Sequence, residues 1–147
     1  MDVEEHKDQF DLQRFVDAQN PVFEGVCEEL RAGRKQTHWM WFIFPQLVGL
    51  GGSVMAARYA ISSMPEAEAY LANKILGPRL RQCTQLVNQV ADRSVIEIFG
   101  SPDDLKFHSA MTLFSRTAPH ERLFADALQK YFVGQADIRT LQILDSL

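Results

Sequence analysis

The chain has 147 residues, of which 46% are apolar and 23% charged, and a net charge of −4. That length fits one domain able to bury a core without disulfide staples, and the apolar share excludes a wholly disordered chain. The acidic balance gives no overall attraction to nucleic acid or anionic membrane, so neither is an expected partner.

The opening stretch MDVEEHKDQFD is acidic and polar. Residues 1–9 are expected to form a flexible N-terminus, frayed to about Asp8, ahead of a helical domain over residues 10–147. With no basic n-region and no apolar h-region, no signal peptide is expected. DLQRFVDAQ then sets Leu12, Phe15, Val16 and Gln19 at helical spacing. Asn20-Pro21 ends that helix and starts another, with Pro21 at the first helical position and Gly33 as its stop.

Both tryptophans of the chain fall in HWMWFIFPQ, residues 38–46. Thr37 is placed to cap a short helix through this block, which Pro45 ends. Its aromatic-aliphatic run covers residues 39–44, far short of the roughly 20 residues of a membrane-spanning helix. The block therefore reads as core with a fringe facing a site, and both Trp39 and Trp41 as largely interior. In a helix, His38, Trp41, Phe42 and Pro45 share one face.

Helix signals continue to the end. Ser53 is the expected N-cap of SVMAARYAI after the glycine turn GLGGS. Ser63 and Glu66 have capping-box spacing. Gly77-Pro78 opens a helix with an apolar stripe of Leu80, Cys83, Leu86, Val87 and Val90. SVIEIFG carries β-branched residues that suit a strand, but Ser94 as cap and Gly100 as stop favour a short helix. In SPDD, Ser101 is expected at the N-cap and Pro102 at the first helical position, with two acids in the first turn. That helix runs to about Arg116. Pro119 opens the next, closed by Gly134, and Asp137 caps a final one. The fold class is all-α: a single compact domain of about eight short helices.

THWMWFIFPQ, GLGGS, the tyrosine of ARYAI, EAEAYL, LGPRL, FGSPDDLKFHSAMTLF and KYFVGQADIRTL occur in this order from about Leu12 to Leu144. Together they resemble a bacterial family of uncharacterised proteins sometimes labelled "calpastatin". The resemblance implies a mainly helical single domain and assigns no activity. It does not bring calpain inhibition with it, because that inhibitor class is disordered and this sequence builds a core. The family usually has a second serine where this chain has Ala110, so position 110 offers no nucleophile here. LQKYFVGQADIRTLQIL is also similar, at Leu128, Lys130, Phe132, Asp137 and Leu141, to a helical segment of the NADAR superfamily. Members of that superfamily act on glycosidic bonds of NAD- or ADP-ribose-related compounds; no catalytic residue carries over.

No GxSxG, HExxH, Walker loop or CxxC is present. Cys27 and Cys83 lie among apolar helix neighbours, which predicts buried thiols in a reducing, cytoplasmic setting. Neither has ligand spacing to a histidine, so no metal and no cofactor are expected. Arg31, Arg34 and Lys35 cluster, as do Arg79 and Arg81; solvated helix ends and faces explain both groups better than a phosphate site does. The backbone of Gly51, Gly52 and Ser53 can hold an anion at a helix start with Arg58 nearby, or serve only as a tight connection. His38 is a titratable group beside stacking rings, or simply a histidine bonded to backbone. Lys106, Ser109, Thr112 and Arg116 run along one strip of the SPDD helix, suiting a polar pocket or a solvated face. Pairing Ser109 with His38 for acyl transfer needs an orienting acid that the sequence does not place.

The expected function is a small-molecule site for a nucleotide-like or ADP-ribose-like ligand, built where the aromatic block meets GLGGS and the Lys106 strip. Its expected ligand-binding residues are Lys35, His38, Trp41, Gly51, Ser53, Arg58, Lys106 and Ser109. The alternative is a non-catalytic binding or scaffolding domain that acts through homo-oligomer or protein contacts.

Overall fold

The computed structural model describes residues 8–147; the frayed N-terminus expected from the sequence falls mostly outside them. Ten helices occur among these residues: α1 (Gln13–Gln19), α2 (Phe23–Arg31), α3 (Met40–Ile43), α4 (Val54–Arg58), α5 (Met64–Ala72), α6 (Leu76–Asn88), α7 (Val95–Phe99), α8 (Asp103–Thr117), α9 (Arg122–Phe132) and α10 (Ile138–Ser146). The only strand-like feature described is an isolated parallel bridge, Leu47 to Ile61. The protein is a single all-α domain, as expected, with α3 and α4 barely a turn each.

α8 is the hub. Its Phe107, Ala110, Met111, Leu113 and Phe114 are fully buried, and α5, α7, α9 and α10 all pack on it. The aromatic block feeds this core from the side. Phe44 meets Phe107 edge-on at 5.1 Å and Phe99 at 5.9 Å, while Phe99 stacks on Phe107 at 4.8 Å. Such edge-to-face and offset pairs add to the hydrophobic gain of burying the rings. Trp39 is 1% exposed; Trp41 is only half-buried, so one of the two indoles is interior and the other lies at the margin.

Local signals explain several helix ends. Ser53, Ser63 and Asp137 each accept a hydrogen bond from the backbone of the following turn, and Ser94 with Glu97 forms a reciprocal capping box. Gly33, at φ +75°, closes α2 with paired bonds from Gly33 N to Leu30 O and from Arg34 N to Glu29 O, the Schellman arrangement.

Four expected helix starts differ. Pro21 and Pro119 lie in turns before α2 and α9, whose N-caps are Val22 and Glu121. Ser101 does not cap α8: Pro102 takes the N-cap position, after a cis Ser101-Pro102 peptide. Thr37 does not cap α3: the helix begins only at Met40 with Trp39 at its N-cap, and the Thr37 hydroxyl donates to the Glu29 carboxylate at 2.6 Å. Glu29 also accepts from Gln36 N, Thr37 N and the indole of Trp39. One carboxylate thus fixes the chain entering the aromatic block. The expected box at Ser63 is half formed, since Glu66 turns its carboxylate to Ser62 rather than to Ser63 N.

Candidate functional site

A cleft of about 300 Å³ opens between the end of the aromatic block, the glycine turn, and the N-terminal parts of α8 and α10. Gln46, Leu50 and Gly51 form one wall, Pro102, Leu105, Lys106 and Ser109 the second, and Asp137 and Arg139 the third. That volume lies at the lower end of the range for small-molecule sites.

Each wall is held by backbone chemistry. Ile61 N donates to Gln46 O, and Val48 N to Ile61 O, both at 2.8 Å, which anchors the chain just before the glycine turn. Gln46 Nε2 then donates to Ser109 Oγ at 2.7 Å, and Ser109 Oγ donates to Lys106 O at 3.0 Å. Gly51 is required by contact: a Cβ there would sit 2.4 Å from the Cβ of Ala56, so only glycine lets α4 close on the turn. On the third wall, Asp137 caps α10 by accepting from Thr140 N and Oγ1, while Asp137 N donates to the buried Thr112 Oγ1 at 2.9 Å. α10 is pinned to α8 at the edge of the cleft.

Lys106 supplies one cation. Its ammonium lies 3.6 Å from Asp103 Oδ1 and 5.3 Å from the centre of the Trp41 ring. Asp103 is shared, because its other oxygen binds Lys35 Nζ at 3.0 Å. Arg139, exposed on α10, brings a second cation.

Of the expected residues, Gly51, Lys106 and Ser109 line this cleft, and Trp41 touches Lys106 from behind. Lys35 stands further back, nearly buried, between Asp103 and the face of Trp39. Ser53 serves as the cap of α4, a helix of five residues. His38 is exposed and lines none of the clefts described.

Arg58 belongs to a different, more open recess of about 710 Å³ lined also by Gln9, Phe10, Asp11, Arg14, Ala60, Ser62 and Glu66. Although larger, that recess is organised around an occupied cation. The guanidinium of Arg14 has five N–H donors, and they go to Arg58 O, Phe10 O, Asp11 O, Ala60 O and Glu66. It is a clamp between segments, with Glu66 as its buried counter-charge.

The expected strip on α8 also divides. Thr112 is wholly buried and engaged with His108 O and Asp137 N. Arg116 lines a separate groove beside Leu141 and Leu144. Ser109 shows no paired base: its two bonds are those to Gln46 and Lys106 O, and His108 instead stacks on Phe132 at 3.9 Å with Nε2 on Gln135 O. Gln46, Leu50, Pro102, Leu105, Asp137 and Arg139 are the cleft residues that sequence reasoning left outside its site. Among the described residues, no cluster of histidine, cysteine and carboxylate groups could hold a metal ion, and no helix is long and apolar enough to cross a membrane.

The chain is similar in structure to the conserved hypothetical protein Rv1873 from Mycobacterium tuberculosis, known from a crystal structure. The TM-score is 0.93 at 59% sequence identity, covering 94% of this chain and 99% of that one. No curated protein matches it. A family model described as "protein of unknown function (DUF1810)" matches residues 9–144, and the chain belongs to that family.

Proposed function

We propose that this domain binds a small anionic, nucleotide-like ligand, of the ADP-ribose kind, in the cleft between the glycine turn, α8 and α10. The observation that carries the reading is that Lys106 and Arg139, from two different helices, line one cleft together with the Ser109 hydroxyl and the apolar Leu50, Pro102 and Leu105. Two cations suit phosphate oxygens, and the apolar wall suits a planar or sugar group. The NADAR-like segment, residues 128–144, supplies Asp137 and Arg139 to the same cleft, which supports the ADP-ribose-like choice. With Ser109 unpaired to any base, the reading is of binding and not of acyl transfer. We place the protein in the cytoplasm on the strength of its two free thiols.

Isothermal calorimetry with ADP-ribose, AMP, ribose 5-phosphate and adenosine tests this. The phosphorylated compounds should bind and adenosine should not. Lys106→Ala and Arg139→Ala should each weaken binding about tenfold or more, the loss of a charge-assisted hydrogen bond. Binding should also weaken with added salt. Equal affinity of both variants and the parent would remove the cleft as the site.

A second reading has its own observation. Leu105 is 59% exposed on the rim of the cleft, and Ile138, beside Arg139, is 68% exposed. A protein partner or a second copy of the chain would cover these side chains. Sedimentation would then show association that Leu105→Glu abolishes, with no dependence on the nucleotide panel.

A further inference from the structure

The cleft holds acceptors as well as cations, and α8 sets their order. Lys106, Ser109 and Thr112 follow one another at three-residue steps on α8, so each lies about 4.5 Å further along the helix axis than the last. The first step carries the Lys106 ammonium. The second fixes Gln46, whose Nε2 donates to Ser109 Oγ at 2.7 Å. The third fixes Asp137, whose backbone N donates to Thr112 Oγ1 at 2.9 Å.

Each of these anchored cleft residues keeps a free side-chain oxygen. A serine hydroxyl has one proton, and Ser109 gives it to Lys106 O at 3.0 Å. Toward Gln46, Ser109 Oγ is therefore an acceptor. It takes the amide nitrogen and leaves Oε1 beside Gly51, 3.9 Å from where a Cβ on that residue would lie. Asp137 engages Oδ2 with Thr140 N and Oγ1. Among the described residues, no donor reaches Asp137 Oδ1 or Gln46 Oε1. The buried side-chain atoms left without a partner are Asn88 Oδ1 and Asp104 Oδ1, so the two cleft oxygens are accessible to a ligand.

Resting on the anion-binding reading above, we infer that the cleft recognises a phosphorylated sugar by its free hydroxyls: Lys106 and Arg139 hold the phosphate, while Gln46 Oε1 and Asp137 Oδ1 accept from neighbouring hydroxyls. An ionised phosphate offers acceptors, so against Gln46 and Asp137 it sets oxygen against oxygen; it belongs at the Lys106 end. A hydroxyl has the proton that these two oxygens lack. In a ribose 5-phosphate unit the 2′- and 3′-hydroxyls lie across the ring from the phosphate, in the order that α8 imposes on cation and acceptors. A carboxylate that accepts from a ribose hydroxyl is a recurring device of nucleotide sites.

Calorimetry of the full chain with AMP, 2′-deoxy-AMP and 2′,3′-dideoxy-AMP tests this. The three compounds share phosphate and base, so differences between them report the hydroxyls alone. AMP should bind about tenfold or more tighter than dideoxy-AMP, the loss of bonds to a charged acceptor, with 2′-deoxy-AMP between them. Gln46→Met removes the amide oxygen at similar length, and Asp137→Asn keeps a capping side chain. In both variants the preference for AMP should shrink, while dideoxy-AMP binds at least as well as it does to the parent. Equal affinity of the parent for AMP and dideoxy-AMP overturns the proposal and leaves the anion site standing. So does a preference that both variants keep in full, because the hydroxyls are then read elsewhere. If none of the three nucleotides binds, the anion-binding reading falls and this one with it. The comparison within the parent decides the matter even where a variant does not fold.

Discussion

Single side chains decide how the aromatic block is held, and Glu29 is the clearest. Its carboxylate collects two backbone N–H groups, the Thr37 hydroxyl and the Trp39 indole. Partial burial raises its pKa, but those four hydrogen bonds outweigh burial and hold it below the ordinary 4.5. A carboxylate whose folded pKa is depressed contributes stability above its unfolded pKa and loses it as pH falls through the folded value. Glu29→Gln should therefore cost about 1–3 kcal/mol at neutral pH. The gap between variant and parent should close as pH drops below about 4.5; urea titrations across that range check it. The tryptophans separate in the same way. Trp39→Ala removes a ring 1% exposed together with its bond to Glu29, and should cost about 3–5 kcal/mol. Trp41→Ala, at a half-buried position, should cost clearly less. Its main local effect is to strip Lys106 of a cation–π contact worth about 0.5–1 kcal/mol. Equal costs for the two variants would show that the indoles are equally interior after all.

At the scale of helices, the legible ends were those whose partner lies within a turn. Ser53, Ser63, Ser94 and Asp137 bond to backbone three residues on, and Gly33, Gly100 and Gly134 take positive φ where a helix stops. Thr37 was misread because Glu29, eight residues away on another helix, holds both its N–H and its hydroxyl and so fixes the chain ahead of α3, which starts only at Met40. A cap signal is local, and a distant carboxylate that fixes the backbone moves the helix start. Glycines within helices show the same dependence on what lies across the interface. Gly25 in α2 has open space around its missing Cβ, whereas a Cβ on Gly77 in α6 would meet Leu71 O at 2.2 Å and Arg81 at 2.8 Å. Gly25→Ala should therefore stabilise by about 0.5–1 kcal/mol through helix propensity alone. Gly77→Ala should destabilise by about 1–3 kcal/mol, because α5 and α6 must be forced apart. Opposite shifts in melting temperature are expected from one chemical change made in two helices.

For the whole molecule, the candidate cleft was legible only in part, and the reason is topological. Lys106 and Ser109 share a helix face by spacing, and Gly51 belonged to a turn already suspected, so those three were found. Arg58 and His38 also looked poised, but no pattern in the sequence says toward which neighbour α4 or the entry to α3 will turn. Arg58 ends beside Arg14, in another recess. Asp137 and Arg139 were missed from the site because they reach the cleft only through the docking of α10 on α8. That docking has an identifiable fastening: the buried Thr112 hydroxyl accepts from Asp137 N while donating to His108 O. Thr112→Val keeps the shape but removes the acceptor and strands a backbone N–H at the cap of α10. The cost should be about 1–3 kcal/mol. The loss should also be uneven, because α10 is the terminal helix and can open without the rest of the core. Hydrogen exchange should quicken at the amides of Leu141, Ile143 and Leu144 well before those of Phe107, Met111 and Phe114 on α8. Since Arg139 rides on α10, the same substitution should weaken any ligand held by the cleft although Thr112 does not line it. Uniform acceleration across α8 and α10 would mean that the two helices open as one unit, and that the third wall of the cleft is as rigid as the core behind it.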